Sequence, residues 1–343
     1  MILQLEITWI LLIVLILIIF SYISFILFIV LFTDKKYFNK RMPNKYHLRC
    51  RDANEYKNLK FENFSFYSKK NKLYGKIYYY NKQSKNIIIF SNGYNILKEK
   101  YLPIIEVLVS LGYTVFSYDY TGTMDSEGKT FKGMPQAIID LECCINYVKE
   151  NYPDSEIILM GHSMGAYASC NVLNVSKVKK VVAIAPVNHV VNILCDNIYQ
   201  ASGKTIFGFN FIFRLLLNIR FKKYGSYETY QTLKYVDTDV LVIHGTEDKT
   251  VLVDRFIQFM NINTNAYVKQ ILLEGKQHEP LMTYPAMNYD LYLRHELQGL
   301  KLKYKNKIPN EELEKINNSI DYNLKDQLDK EVLVKIIEFI KEV

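Results

Sequence analysis

Hydrophobic and polar positions divide this chain into three unlike stretches. Thr8 to Phe32 is a run of 25 uncharged, strongly apolar residues (32 − 8 + 1). As a helix rising ~1.5 Å per residue it would reach roughly 37 Å, enough to cross a ~30 Å hydrocarbon layer with some tilt. Residues 34–58 are polar and basic and read as a linker. From residue 59 onward, short runs of Ile, Val and Leu alternate with longer segments of helical character. Leu59 to Phe66 and Leu73 to Tyr80 flank Ser68-Lys69-Lys70-Asn71-Lys72, which predicts an antiparallel hairpin. Strands are expected next at Asn86 to Phe90, Thr114 to Tyr118, Glu156 to Met160, Lys179 to Ala185, Val240 to His244 and Val268 to Leu273. Helices are expected at Leu97 to Leu111, interrupted by Pro103, and at Pro135 to Glu150. Near-continuous apolar strands separated by helices predict an α/β fold with a mostly parallel sheet covered on both faces.

Two segments stand apart from that alternation. Val187 to Val236, 50 residues (236 − 187 + 1), interrupts it where a lid is commonly inserted. The insert carries Phe207, Phe209, Phe211 and Phe213, then Leu215 to Leu217, then Arg220, Lys222 and Lys223. It reads equally as a lid that closes over an apolar substrate or leans on a bilayer, and as a helical hairpin packing its own core. Asp329 to Val343 has the pattern of a closing amphipathic helix.

Composition narrows the class. Hydrophobic residues make up 49% and charged residues 23% of the 343, so the chain is largely globular, with one large domain or two smaller ones. The formal net charge is +8, yet no arginine-rich run is interleaved with aromatics, so nucleic acid is excluded as a partner. Attraction to an anionic membrane surface fits the charge better. The apolar span lacks the basic leader and small-residue cleavage site of a signal peptide, and reads as a membrane anchor. Glu6 precedes it, whereas Lys35, Lys36, Lys40, Arg41, Lys45 and Arg49 follow, which predicts the bulk of the chain in the cytoplasm. Cys50, Cys143, Cys144, Cys170 and Cys195 show no metal-ligand spacing and read as thiols in a reducing compartment. No metal or organic cofactor is implied.

The chemistry centres on Ile157 to Ala168, where an apolar strand runs straight into Gly161-His162-Ser163-Met164-Gly165 and then into small residues suited to a helix. Strand, Gly-x-Ser-x-Gly and helix in that order predict a tight turn that lifts one serine hydroxyl above a sheet. The alternative is a serine that merely caps a helix. A serine hydroxyl becomes a nucleophile when an imidazole takes its proton and a carboxylate fixes the imidazole's tautomer. In a parallel sheet such groups sit beyond the carboxyl ends of strands. Asp248 follows the strand Val240 to His244 and is preferred to Glu247; its alternative role is to cap a helix over Val251 to Met260. Six histidines compete for the base. His47 lies in the linker, His162 in the turn with its ring expected to face away from Ser163, and His189 at the start of the insert. His244 sits at a strand end and His295 on a late helix, which leaves His278, in a loop after the last strand. Backbone N–H groups for an oxyanion are expected at Met164 and, in the loop Ser91-Asn92-Gly93-Tyr94-Asn95, at Tyr94.

Ser163, Asp248 and His278 follow the Ser…Asp…His order of the α/β-hydrolase fold. From about residue 60 to the end the chain resembles that superfamily, near its serine aminopeptidase and monoglyceride-lipase-like branch. Tyr118-Asp119-Tyr120-Thr121-Gly122-Thr123-Met124-Asp125-Ser126-Glu127-Gly128 is similar to the branch's Asp-x-x-Gly-x-Gly-x-Ser loop. Asn92 replaces the usual histidine before Gly93, and Thr123 replaces the second loop glycine. The resemblance implies a hydrolase domain over 59–343, with the insert at about 187–236 as its lid; it does not cover the anchor at 1–33 or the linker at 34–58, which the apolar span and the basic stretch after it indicate. It implies a serine hydrolase acting on an ester with a lipid-derived or other apolar acyl group. Peptidase, thioesterase and acyltransferase use the same groups, and an inactive membrane-tethered binding module is the reading from another class.

Overall fold

A computed structural model describes residues 2–39, 41, 48–253 and 266–342, with side chains from residue 7 onward. Its first element is a single helix, α1 (Ile2–Tyr37). The helix runs through the apolar span and on into the stretch read as linker. No glycine or proline interrupts it before Pro43, and Lys35 and Lys36 suit the negative end of the helix dipole. Then come β1 (Lys60–Ser68), β2 (Asn71–Tyr79), β3 (Asn86–Ser91), α2 (Leu102–Ser110), β4 (Thr114–Tyr118), α3 (Pro135–Asn151), β5 (Glu156–His162) and α4 (Met164–Asn171). They are followed by β6 (Lys180–Ile184), α5 (Val190–Ser202), α6 (Phe209–Phe221), α7 (Thr229–Tyr235), β7 (Asp239–Gly245) and β8 (Val268–Leu273). The last helices are α8 (Tyr284–Lys303), α9 (Asn310–Asn318), α10 (Tyr322–Lys325) and α11 (Lys330–Lys341). Of the helix considered at Val251 to Met260, residues 254–265 lie outside the described residues.

The eight strands form one sheet in the order β1-β2-β4-β3-β5-β6-β7-β8. β1, β2 and β4 pair antiparallel, and every pairing from β4 through β3 to β8 is parallel. The hairpin pairs down to Ser68↔Asn71, so its turn is Lys69-Lys70 rather than a five-residue loop, and Lys69 takes the left-handed φ of 54° this requires. Pro103 does not interrupt a helix. A 3-10 turn (Lys98–Tyr101) precedes α2, and Pro103 stands in the first turn of α2, where its missing N–H costs no hydrogen bond.

Alternation along each strand splits the core in two. Ile87, Ile89, Leu159, Val181 and Val242 join Ile138, Leu141 and Ile145 of α3 and Ala166 and Cys170 of α4 on one face. Ile88, Phe90, Ile158, Met160 and Val182 meet Ile105 and Leu108 of α2, and Val332, Ile336 and Phe339 of α11, on the other. Asp329 caps α11 through Glu331 and Val332, as the amphipathic pattern foretold.

The insert forms α5, α6 and α7. Phe209, Phe213 and Leu217 face inward and share a cluster with Ile26, Val30 and Phe38 of the α1 region. Phe207 and Phe211 face outward, 85% and 71% exposed. The Arg220 guanidinium grips the buried Asp34 carboxylate with two bonds of 2.7 Å. The insert therefore has a core of its own, but α1 supplies part of it.

His189 caps α5: its Nδ1 accepts from the Val191 N–H while its Nε2–H donates to the Gly225 carbonyl. Burial, with help from Arg214, lowers its imidazole from 6.5 to about 4. The unfolded chain therefore takes up a proton as pH falls from 6.5 towards 4 while the folded one does not, and stability declines across that window. His189→Asn keeps a capping acceptor that does not titrate. It is expected to leave stability at neutral pH nearly unchanged and to make the acid-side decline shallower, read by thermal unfolding at a series of pH values.

Candidate active site

Ser163 stands alone between the end of β5 and the start of α4, at φ 55° and ψ −113°. A non-glycine residue there stores about 1–3 kcal/mol of strain, which its surroundings must offset. They hold it from both sides. The Ser163 N–H donates to the Ile184 carbonyl at 2.8 Å, and the Ser163 carbonyl accepts from Tyr167 at 2.9 Å. A Cβ on Gly165 would lie 1.9 Å from the Ser91 carbonyl oxygen, and one on Gly161 would lie 2.4 Å from the Gly165 backbone. Both glycines are demanded by backbone packed on backbone.

His278, beyond β8, places Nε2 at 3.0 Å from Ser163 Oγ and Nδ1 at 2.7 Å from Asp248 Oδ2. Asp248, beyond β7, is buried, whereas the neighbouring Glu247 is exposed. The two roles considered for Asp248 turn out to be held by different oxygens. Oδ2 takes the His278 N–H, and Oδ1 accepts from the N–H groups of Thr250 and Val251. Burial by itself would raise the Asp248 carboxyl, but His278 and the Val251 N–H hold it below its ordinary value. Gly245 lets the two loops meet, since a Cβ there would lie 2.2 Å from the Lys276 carbonyl oxygen.

The other histidines lie elsewhere. His189 caps α5, the buried His244 donates from Nε2 to the Val251 carbonyl, and His295 is exposed on α8. His47 lies outside the described residues. His162 does turn away from Ser163, and there it does something the pattern of residues did not signal. Its Nε2 donates to the His278 carbonyl at 2.7 Å, and its Nδ1 accepts from the Tyr101 hydroxyl at 2.8 Å. Tyr101 Oη in turn accepts the Gly93 N–H at 3.1 Å. Burial lowers the His162 imidazole to about 4, against the pull of Glu279, so it stays neutral and its tautomer is set by these two partners. One chain of hydrogen bonds thus joins the loop after β3 to the loop that carries His278.

Met164 is the first residue of α4, so its N–H precedes the helix's own hydrogen bonds. It lines a small cavity together with Asn92, Gly93 and Tyr94. Tyr94 also lines the larger cavity, of about 570 Å³, that holds Ser163 and His278. The loop after β4 braces this region. Tyr120 Oη donates to the Asn92 carbonyl, Lys98 pairs with the buried Asp119 at 2.7 Å, and Asp140 accepts from Ser68, Thr121 and Gln136. The two departures from the motif are accommodated differently. Asn92 Nδ2 donates to the Ile96 carbonyl and closes the loop. Counted from Asp119, the place of the motif's second glycine is Met124 rather than Thr123, and Met124 takes the positive φ, 40°, beside Gly122 at 71°. Among the described residues no group of three or more His, Cys, Asp or Glu is placed to hold a metal ion, and no disulfide joins the cysteines.

Tyr101→Phe removes the hydroxyl between Gly93 and His162 and strands a buried donor and a buried acceptor, at a cost of about 1–3 kcal/mol. Thermal unfolding is expected to show that loss. Steady-state kinetics on an activated ester are expected to show kcat falling with KM little changed, because the hydroxyl positions loops without touching the cavity's contents.

A family model described as "Serine aminopeptidase, S33" matches residues 82–206, which include Tyr94 and Ser163 but stop before Asp248 and His278. Protein ABHD12B of Homo sapiens is 28% identical over 202 residues, 54% of this chain and 53% of that protein, so the chain spans about half the length of the curated relative it matches. An esterase of Pyrococcus furiosus aligns with a TM-score of 0.55 at 20% identity, over 79% of this chain and all of that one. A second crystal form of the same esterase aligns with a TM-score of 0.54 at 18% identity, over 74% and 95% of the two chains. These structures share the α/β-hydrolase fold with this chain, and the family model and the curated relative are similar to part of it in sequence; the fold of the chain is that of the α/β hydrolases.

Proposed function

We propose that this is a membrane-anchored hydrolase that cleaves an ester with a lipid-derived or other apolar acyl group, through an acyl-enzyme. One observation carries the reading. Ser163, bonded to His278, opens on a cavity walled by Tyr37, Phe38, Val190, Ile193 and Leu194. Such walls take an acyl chain out of water at about 25 cal/mol per Å² of apolar surface buried.

In this reading Ser163 Oγ attacks the ester carbonyl and its proton passes to Nε2 of His278. Asp248 orients that ring and stabilises the imidazolium. The N–H groups of Met164 and Tyr94 receive the oxyanion, and each such donor contributes on the order of 10²–10³ in rate. His278 then protonates the departing alkoxide, and water, deprotonated by the same ring, releases the acid and restores Ser163. An ester is favoured over a peptide because Glu228, one of the few acids of the insert, is engaged by Arg214 rather than offered to a substrate amine.

A fluorophosphonate probe is expected to label the full-length chain and to fail on Ser163→Ala, with ester turnover down at least ~10⁴-fold. Labelling that survives the substitution would sink the assignment. Short- and long-chain esters in one panel test the acyl preference, and a higher kcat/KM is expected for the long chains. The basic residues after the anchor place the hydrolase in the cytoplasm in this reading. A reporter fused to the C-terminus should be active only on the cytoplasmic side, and activity only outside would reverse the orientation.

A further inference from the structure

The insert and the anchor meet along a line that says where a bilayer would lie. Tyr22 Oη on α1 donates to the Phe207 carbonyl just before α6, and Asp34 on α1 pairs with Arg220 at the end of α6. The contacts are 12 residues apart on α1 (34 − 22) and 13 apart on the insert (220 − 207), so the helices run side by side in the same direction. Ile26 and Val30 on α1 are buried in the cluster that holds Phe209, Phe213 and Leu217 of α6, which fills the seam between the contacts.

Tyr22 lies deep in the apolar span. It is ten residues (32 − 22) from its end at Phe32, or roughly 15 Å at ~1.5 Å per residue. Even if the hydrocarbon takes only the first ~20 residues of the span, the length a ~30 Å layer needs, Tyr22 remains inside it. The start of α6 is tied to that level. From there α6 turns outward Phe207, Phe211, Leu215 and Ile219, at every fourth residue and 85%, 71%, 48% and 73% exposed. Water would meet this stripe unfavourably. The stripe continues the exposed apolar surface of α1, where Phe25 and Phe28 are 56% and 66% exposed. The polar residues of α6 gather on its flank, where Arg214 bonds Asn210 and Glu228. At the far end, Lys222 and Lys223 come level with Lys35 and Lys36 through the Arg220–Asp34 pair, as a belt of cations suits anionic headgroups.

We infer that the outer face of α6 is a second membrane element: it lies in the same leaflet as the Asp34 end of α1 and is solvated by acyl chains. The inference rests on the anchor reading of α1. It also puts α5 and Tyr37, which line the cavity of Ser163, beside the lipid, so that the substrate's acyl chain enters from the bilayer.

Trp9 is the chain's single tryptophan and sits on α1, which makes a direct test possible. The full-length protein is reconstituted in phosphatidylcholine–phosphatidylglycerol vesicles with brominated acyl chains. Trp9 reports on the anchor, Trp9→Phe with Phe211→Trp reports on α6, and Trp9→Phe with Tyr235→Trp reports on an exposed site of α7. The expected result is loss of emission from the label at 211 comparable to that of Trp9, with the label at 235 unaffected. Quenching of Trp9 without quenching at 211 overturns the inference and leaves the anchor standing. If Trp9 itself escapes quenching, the anchor reading fails and the inference fails with it.

Discussion

Backbone pressed against backbone at the turn of Ser163 is the constraint on which the rest of this structure depends. With the Ser91 carbonyl 1.9 Å from where a Cβ of residue 165 would be, the end of β3 and the start of α4 are as close as two main chains can come. That contact sets Met164 beside the loop that carries Tyr94, and the two residues line one small cavity. It also forces Ser163 into a conformation that serine avoids, and buried neighbours on β6 and α4 hold it there. A similar contact at Gly245 brings the Asp248 loop against the His278 loop. Two tight glycine contacts, one at the start of α4 and one at the end of β7, align three side chains that are far apart in the chain.

Around that arrangement the interior is polar, and much of it is held by specific partners. His162 stays neutral because burial opposes its charge, and in the neutral form it can donate to one loop and accept from another. Glu279, next to His278, would be raised by burial, but Lys100 and the neighbouring histidines pull its carboxyl well below the usual range. Asp140 and Asp119 anchor the loop after β4 through hydrogen bonds and an ion pair. Leaving any one of these groups without its partner would cost more than the bond contributes, so the network acts as a specification of loop geometry rather than as a source of net stability.

The apolar helix α1 is part of this packing and not a tether hung from it. Ile26, Val30 and Phe38 sit in the same cluster as the strands of the sheet, and Phe38 lies edge-on to both Tyr94 and Phe213. Tyr94 Oη donates to the Tyr37 carbonyl, so the end of α1 touches the loop after β3. The N-terminal apolar helix, the insert and the cavity are therefore packed as one unit.

Local chemistry was legible in the residues alone. Strand periods, the Gly-x-Ser-x-Gly turn and the positions of Asp248 and His278 after strands are short-range features, and they foretold the parallel sheet and named the residues that come together. Boundaries drifted where pairing or capping decided them, as at the two-residue turn of the hairpin and at Pro103, which starts a helix instead of interrupting one. Tyr101 and His162 could not be read as partners, because 61 residues separate them and no spacing rule links a turn before α2 to the end of β5. The same holds for Asp34 and Arg220, 186 residues apart. Periodicity records which face of an element is buried; only the folded chain decides what that face is buried against, because the partner is set by sheet order and crossover, and neither leaves a mark on neighbouring residues.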